Sequence, residues 1–133
     1  MKFVFIDTSY YVALFSPTDR FHREAIRLAS ALKRRAVVTE FVLMEFGNLA
    51  SAGRGRHVFA DLLRHFQQDP SAIVIPASHE LFERGCDLFL RRPDKEWSLT
   101  DCTSFLVMED RGIADALTAD HHFEQAGFNA LLK

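Results

Sequence analysis

Apolar positions fall into two periods along this chain, and the switches between them mark out an alternating β/α order. Residues 3–6 (Phe3-Val4-Phe5-Ile6) are continuously apolar and rich in strand formers, the pattern of a parallel strand buried on both faces. Thr8–Phe15 reads as a short helix broken at Ser16-Pro17. From Asp19 to about Arg35, Phe21, Ala25, Leu28 and Leu32 recur at helical spacing. Residues 36–38 predict a second strand, and residues 41–52 a helix stopped by Gly53 and Gly55. Val58, Leu62 and Phe66 mark another helix that ends at Asp69-Pro70, and residues 72–75 a third strand. Ser78 caps a helix with Leu81, Phe82, Gly85 and Phe89 on one face, ended by Arg92-Pro93-Asp94. Ser98 and Asp101 have the form of a capping box, and the helix they open runs to Arg111-Gly112. Residues 114–117 predict a fourth strand. A short helical turn after Asp120 stops at Gly127, before a final strand at 128–132. Strands alternating with helices predict an α/β domain with helices on both faces of its sheet.

The length of 133 residues suits a single domain, and no repeat, low-complexity segment or linker divides it. Nearly half the residues are apolar and 13 are Phe, which excludes a disordered chain. The net charge of −2 does not mark a nucleic-acid binder, although it turns mildly positive once four carboxylates considered below are set aside. Cys86 and Cys102 fall on amphipathic helices and read as free thiols of a reducing compartment. The apolar run before Asp7 is too short for a signal-peptide core, and none approaches the ~20 residues of a membrane span. A cytoplasmic protein without a membrane partner is expected.

Four carboxylates stand where the chain changes element: Asp7 after the first strand, Glu45 on an apolar helix, Asp101 opening a later helix, and Asp120 after the fourth strand. Three of them have an ordinary explanation as helix caps. Glu45 resists one, because it projects between Phe41, Leu49 and Ala52 with no basic residue a turn away, and Asn48 is its nearest polar neighbour. If the first strand is central and the fourth packs beside it, Asp7 and Asp120 meet at the switch point of the sheet, where α/β sites form. Acids brought together without lysine or arginine need a cation, and hard oxygen ligands select Mg²⁺ or Mn²⁺. A haloacid-dehalogenase-type phosphatase would want a second Asp at position 9, where Ser9 stands. His121-His122 are adjacent, so diverging, solvated side chains are expected rather than a zinc pair.

The blocks Phe5-Ile6-Asp7-Thr8-Ser9, Glu45-Phe46-Gly47-Asn48, Ser98 through Phe105 and Leu117-Thr118-Ala119-Asp120 resemble, in order and spacing, the PIN-domain nucleases, and most closely the VapC-type toxin ribonucleases of type II toxin–antitoxin systems. The resemblance implies a Rossmann-like, three-layer PIN fold with a mainly parallel five-stranded sheet ordered 3-2-1-4-5. By analogy Asp7, Glu45, Asp101 and Asp120 would hold Mg²⁺ or Mn²⁺ for hydrolysis of an RNA phosphodiester. Thr8 and Ser104, and also Asn48 and Thr118, would support the acids through hydrogen bonds. A cognate antitoxin and a homodimer are the implied partners.

Arg54, Arg56 and His57 on one side, and Arg91, Arg92 and Lys95 before Trp97 on the other, are candidates for RNA contact, with Trp97 as a stacking platform. Tyr10, Tyr11, Phe21 and Leu28 are candidates for a dimer or inhibitor surface, although core packing explains them equally. Lys33-Arg34-Arg35 reads as a basic helix C-terminus favoured by the dipole.

Overall fold

The computed structural model describes residues 2–133. The strands are β1 (Phe3–Ile6), β2 (Arg35–Thr39), β3 (Ile73–Ile75), β4 (Asp115–Leu117) and β5 (Asn129–Ala130). They form one sheet in the order β3-β2-β1-β4-β5, and every pairing is parallel. Neighbouring side chains in a strand point to opposite faces. Val4, Phe5 and Ile6 are all buried, so both faces of the central strand are covered. The central strand is the one that the apolar run at residues 3–6 predicts, and the whole is the three-layer, Rossmann-like arrangement that the resemblance implies.

The helices are α1 (Thr8–Phe15), α2 (His22–Ala31), α3 (Glu40–Leu49), α4 (Gly55–Gln68), α5 (His79–Arg91), α6 (Leu99–Arg111) and α7 (His121–Gln125). Their starts have identifiable chemistry. The buried Thr39 hydroxyl accepts the Val42 amide (3.1 Å), so β2 runs straight into α3 without a loop. Ser78 caps α5 by accepting the Leu81 amide (3.0 Å), and Ser98 and Asp101 form the full capping box of α6. Gly112, in the left-handed region at φ 64°, closes α6.

Several boundaries differ from those the sequence predicts. The Asp19 side chain accepts the Phe21 amide (2.8 Å) and its carbonyl accepts the His22 amide (3.1 Å), so a turn occupies 19–21 and α2 begins at His22. Gly55 does not stop a helix but starts α4, because a Cβ there would collide with the Ala50 carbonyl. α2 ends at Ala31, so Arg34 and Arg35 are not a helix end: Arg35 opens β2 and Arg34 immediately precedes it. Arg34 pairs with Asp115 at the start of β4, while Arg35 donates to the Ser71 carbonyl (3.0 Å) and lies over the Phe3 ring (4.9 Å). Tyr10, Tyr11 and Leu28 are buried and pack the core rather than a partner surface, while Phe21 is half-buried against that core. Both cysteines are free thiols, and burial pushes the Cys102 thiol up to about 11. Among the described residues no helix is long and apolar enough to cross a membrane.

An aromatic cluster seats the last third of the chain. Phe105 of α6 meets Trp97 edge-on (5.0 Å, 81°) and Phe123 of α7 in the same way (4.9 Å, 86°), and Phe123 reaches Phe5 of β1 (6.4 Å). The Trp97 indole N–H donates to Gln125 Oε1 (3.0 Å). Trp97 is only 6% exposed, so it is a structural post between α6 and α7 and not a platform for bases.

Helices α5 and α6 approach closely at Gly85, where an added Cβ would lie 2.5 Å from Thr103 Cγ2. Thr103 is buried and its hydroxyl is committed to the Thr100 carbonyl (2.9 Å). Gly85→Ala is therefore expected to cost about 1–3 kcal/mol through overpacking, seen as a lower urea midpoint with an unchanged m-value. An unchanged midpoint would show that the two helices separate without cost.

Candidate metal centre

The register of β1 with β4 places Asp7. Ile6 pairs with Leu117, and the Asp7 amide donates to the Leu117 carbonyl (3.2 Å), so residues 7 and 118 leave the sheet side by side. The Thr118 hydroxyl donates to Asp7 Oδ2 (2.8 Å), and the Ser9 hydroxyl donates to the same oxygen (2.9 Å). Both hydroxyl oxygens are in turn fixed by backbone amides, Thr118 Oγ1 by Asp120 (3.0 Å) and Ser9 Oγ by Ala119 (3.2 Å). Asp7 stands at the N-cap position of α1 yet makes no side-chain cap bond. Its carboxylate is held for something else.

Asp101 and Asp120 do cap their helices, and each does so with one oxygen. Asp101 Oδ2 accepts the Ser98 amide (3.1 Å), and Asp120 Oδ1 accepts the His122 amide (2.9 Å). His122 Nδ1 lies 3.1 Å from Asp101 Oδ2 and 3.4 Å from Asp120 Oδ1. Among the described residues, Asp101 Oδ1 and Asp120 Oδ2 accept no hydrogen bond.

These groups line one open crevice of ≈ 370 Å³. Its wall carries six carboxylates, Asp7, Asp19, Glu45, Glu96, Asp101 and Asp120, together with Thr8, Ser9, Ser98 and His122, and neither lysine nor arginine. Burial raises the Asp7 pKa to about 6; the Thr118 and Ser9 hydroxyls and the Thr8 amide pull it down, and the Asp101 charge pushes it up. Burial also raises Asp101, with the Ser98 amide and His122 opposing and the Asp120 charge adding to the rise. A cavity of similar size beside α5 and α6 (≈ 380 Å³) holds Glu80, Arg84, Asp110 and Arg111, and there Arg84 already pairs with Asp110 (2.7 Å). Charge is balanced in that cavity and unbalanced in the acidic one.

The donor set fits a hard divalent cation. Three aspartates on two strand ends and a helix start, with Glu45 from α3, supply carboxylate oxygen, and the buried Thr8 hydroxyl in the same wall has no protein partner. Asp120, His121 and His122 are the one trio of such donors gathered within 4.8 Å of one another among the described residues. Imidazole-rich coordination there is a poor description, because His121 is exposed and His122 Nδ1 is already engaged by Asp101. The acids surround the crevice more loosely, a spacing that suits Mg²⁺ or Mn²⁺ retaining several waters.

The structure thus brings Asp7, Glu45, Asp101, Asp120, Thr8 and Thr118 to one place and leaves other expected residues out. Ser104 is fully buried, its hydroxyl makes no hydrogen bond, and it does not line the crevice. Asn48 is exposed and also lies outside it. Glu45 is half-buried at the rim beside Leu49, which is 67% exposed, so its helix face is not the core stripe that the spacing implies. Arg92 is committed to Asp94 (3.0 Å) and covers Trp97 (5.1 Å), whereas Arg54, Arg56 and His57 are exposed and Lys95 is half-buried. Sequence reasoning passed over Ser9, Asp19, Glu96 and His122. The two histidine rings do not diverge: their centroids are 4.4 Å apart and His122 turns to the acids. The signal that could have found His122 is its place in the first turn of a helix capped by Asp120.

The PIN domain profile matches residues 4–129. Two relatives designated 23S rRNA-specific endonuclease VapC20, from the CDC 1551/Oshkosh and H37Rv strains of Mycobacterium tuberculosis, are each 31% identical over 130 residues, covering 94% of this chain and 95% of theirs. The crystal structure of Mycobacterium tuberculosis VapC20, described as a Sarcin-Ricin loop cleaving toxin, superposes with a TM-score of 0.81 at 30% identity, over 94% of this chain and 95% of that one.

Folded Asp7 binds its proton more tightly than the unfolded chain does, so its ionisation subtracts stability as pH rises from about 4 to about 6 and the loss is complete above that. The shift corresponds to at most about 3 kcal/mol. Asp7→Asn is expected to raise the unfolding free energy of the metal-free protein at pH 8 by about 1–2 kcal/mol, with the gain shrinking towards pH 4. Urea melts in a chelator at the two pH values measure this. A variant no more stable than wild type at pH 8 contradicts the buried, uncompensated charge.

Proposed function

The chain belongs to the PIN-domain family, and from that premise we propose that it is a single-domain, Mg²⁺- or Mn²⁺-dependent endoribonuclease, the toxin of a toxin–antitoxin pair. One observation carries the reading: six carboxylates face one crevice with no lysine or arginine among them. Two carboxylates ~4 Å apart repel by about 4 kcal/mol at an effective dielectric of 20, and an RNA phosphodiester would be repelled by the same field. A divalent ion bound there neutralises that field, orients the scissile phosphate and lowers the pKa of a water.

The chain's own residues do the rest. Asp7, Asp101, Asp120 and Glu45 hold the ion; Ser9 and Thr118 keep Asp7 Oδ2 fixed, and the Ser98 amide keeps Asp101 Oδ2 fixed. The crevice is open to solvent, so an RNA strand can reach the acids that line it. Arg54, Arg56 and His57, exposed after α3, and Lys95 before α6 are the candidates for the RNA backbone. Leu49 and Val12 continue from the crevice into an apolar groove with Phe15, Phe46, Val58 and Arg54, and we assign this groove to a helix of the antitoxin. The homodimer contact is assigned to α5, whose Phe82, Phe89 and Leu90 face solvent.

The test is cleavage of ribosomal RNA, beginning with 23S rRNA, in the presence of Mg²⁺ or Mn²⁺, with the new ends mapped by sequencing. Discrete cuts are expected from the wild type, none with a chelator, and at least about a hundredfold slower cutting by Asp7→Asn and Asp101→Asn. Metal uptake with every RNA left intact would favour a non-catalytic PIN-like interaction module, and unimpaired cutting by both variants would move the active site elsewhere.

A further inference from the structure

His122 touches two of the crevice acids at once. Its backbone amide donates to Asp120 Oδ1 (2.9 Å), and its ring nitrogen Nδ1 lies 3.1 Å from Asp101 Oδ2 and 3.4 Å from Asp120 Oδ1. An ionised carboxylate oxygen offers only lone pairs, so the ring nitrogen bonded to Asp101 Oδ2 is the one that carries a proton. The ring is well held: its side chain is 17% exposed, and the next residue, Phe123, is fully buried against Phe105 and Phe5. Asp101 and Asp120 come from different elements, the start of α6 and the N-cap of α7, and His122 links them, its ring nitrogen bonded to Asp101 and its backbone amide to Asp120.

We propose that His122 is a positioning residue for the metal-holding carboxylates: with its ring N–H on Asp101 Oδ2 and its backbone amide on Asp120 Oδ1 it turns Asp101 Oδ1 and Asp120 Oδ2 towards the cation. The inference rests on reading the crevice as a metal site. Outer partners of this kind orient ligands and set affinity. His121 cannot serve, since its Nδ1 is 3.6 Å from Asp120 Oδ1 and its side chain is mostly in solvent.

The experiment is a Mn²⁺ titration of the full chain, with free ion read by electron paramagnetic resonance, for wild type, His122→Asn, His122→Gln and His122→Ala. Asn places an amide N–H near the position of Nδ1, whereas Gln carries it one bond further, near Nε2. Wild type and H122N are expected to bind Mn²⁺ almost equally, and H122Q and H122A to bind it about 10-fold or more weakly. Long-range ¹H–¹⁵N spectra of the metal-free wild type are expected to place a proton on Nδ1, an observation that does not depend on any variant folding. Equal affinity in all four proteins overturns the positioning role and leaves the metal site standing. Retention by H122Q with loss by H122N overturns it in favour of direct ligation through Nε2. A wild type that takes up no Mn²⁺ overturns both this role and the reading of the crevice.

Discussion

Parallel pairing of β1 with β4 is the constraint on which the site depends. It brings residue 7 beside residue 118 across more than a hundred positions of sequence, and it does so at the point where the chain's strand order reverses direction. The Thr118 hydroxyl then reaches Asp7 with no adjustment of either strand. Everything else in the crevice is hung from elements that this pairing seats: Asp120 continues from β4, α7 follows Asp120, and Phe123 locks α7 onto Phe105 of α6, whose first turn holds Asp101.

Among the described residues, neither lysine nor arginine positions Asp7, Asp101 or Asp120. Hydroxyls hold Asp7, backbone amides hold Asp101 and Asp120, and the His122 ring meets Asp101. A lysine or arginine in any of those places would have stabilised the fold further while cancelling the field that draws a cation. Elsewhere the same chain pairs its acids freely, as Arg34 with Asp115 and Arg84 with Asp110. The contrast is local. The crevice gathers acids without a basic partner, and burial, with the Asp101 charge adding to it, raises the proton affinity of Asp7.

The central strand and the four principal acids are legible in local patterns, a continuous apolar strand, a switch of period and a capping box, whereas the strand order is what the resemblance to the PIN-domain nucleases implies. What stayed hidden depends on side-chain direction. Trp97 looked like a binding aromatic because Arg91, Arg92 and Lys95 precede it, but burial against Phe105 and the bond to Gln125 decide its role. Ser104 sits in a motif with Asp101 yet is buried in the packed interior, while Ser9, part of the first motif block but given no role there, supplies one of the two hydroxyls that Asp7 uses. Glu45 was singled out as an acid stranded on a core stripe. The stripe ends at the exposed Leu49, and Glu45 matters because it overlooks the crevice. His122 was missed because adjacent histidines were treated as equivalent, whereas helix capping by Asp120 turns one to the acids and leaves the other in solvent.

The central claim is that this fold keeps a set of mutually repelling carboxylates in place for a divalent cation. Its most direct test is the thermal midpoint of the chelator-treated protein as Mg²⁺ is titrated in at pH 8 and low ionic strength, with Na⁺ at matched ionic strength as the control. A cation that binds the folded state alone raises the midpoint progressively, by about 2.7 kcal/mol of stability at a hundredfold excess over its Kd. The account predicts that rise for Mg²⁺ and not for Na⁺, reversed by chelator. A midpoint indifferent to Mg²⁺, or raised equally by Na⁺, would contradict it.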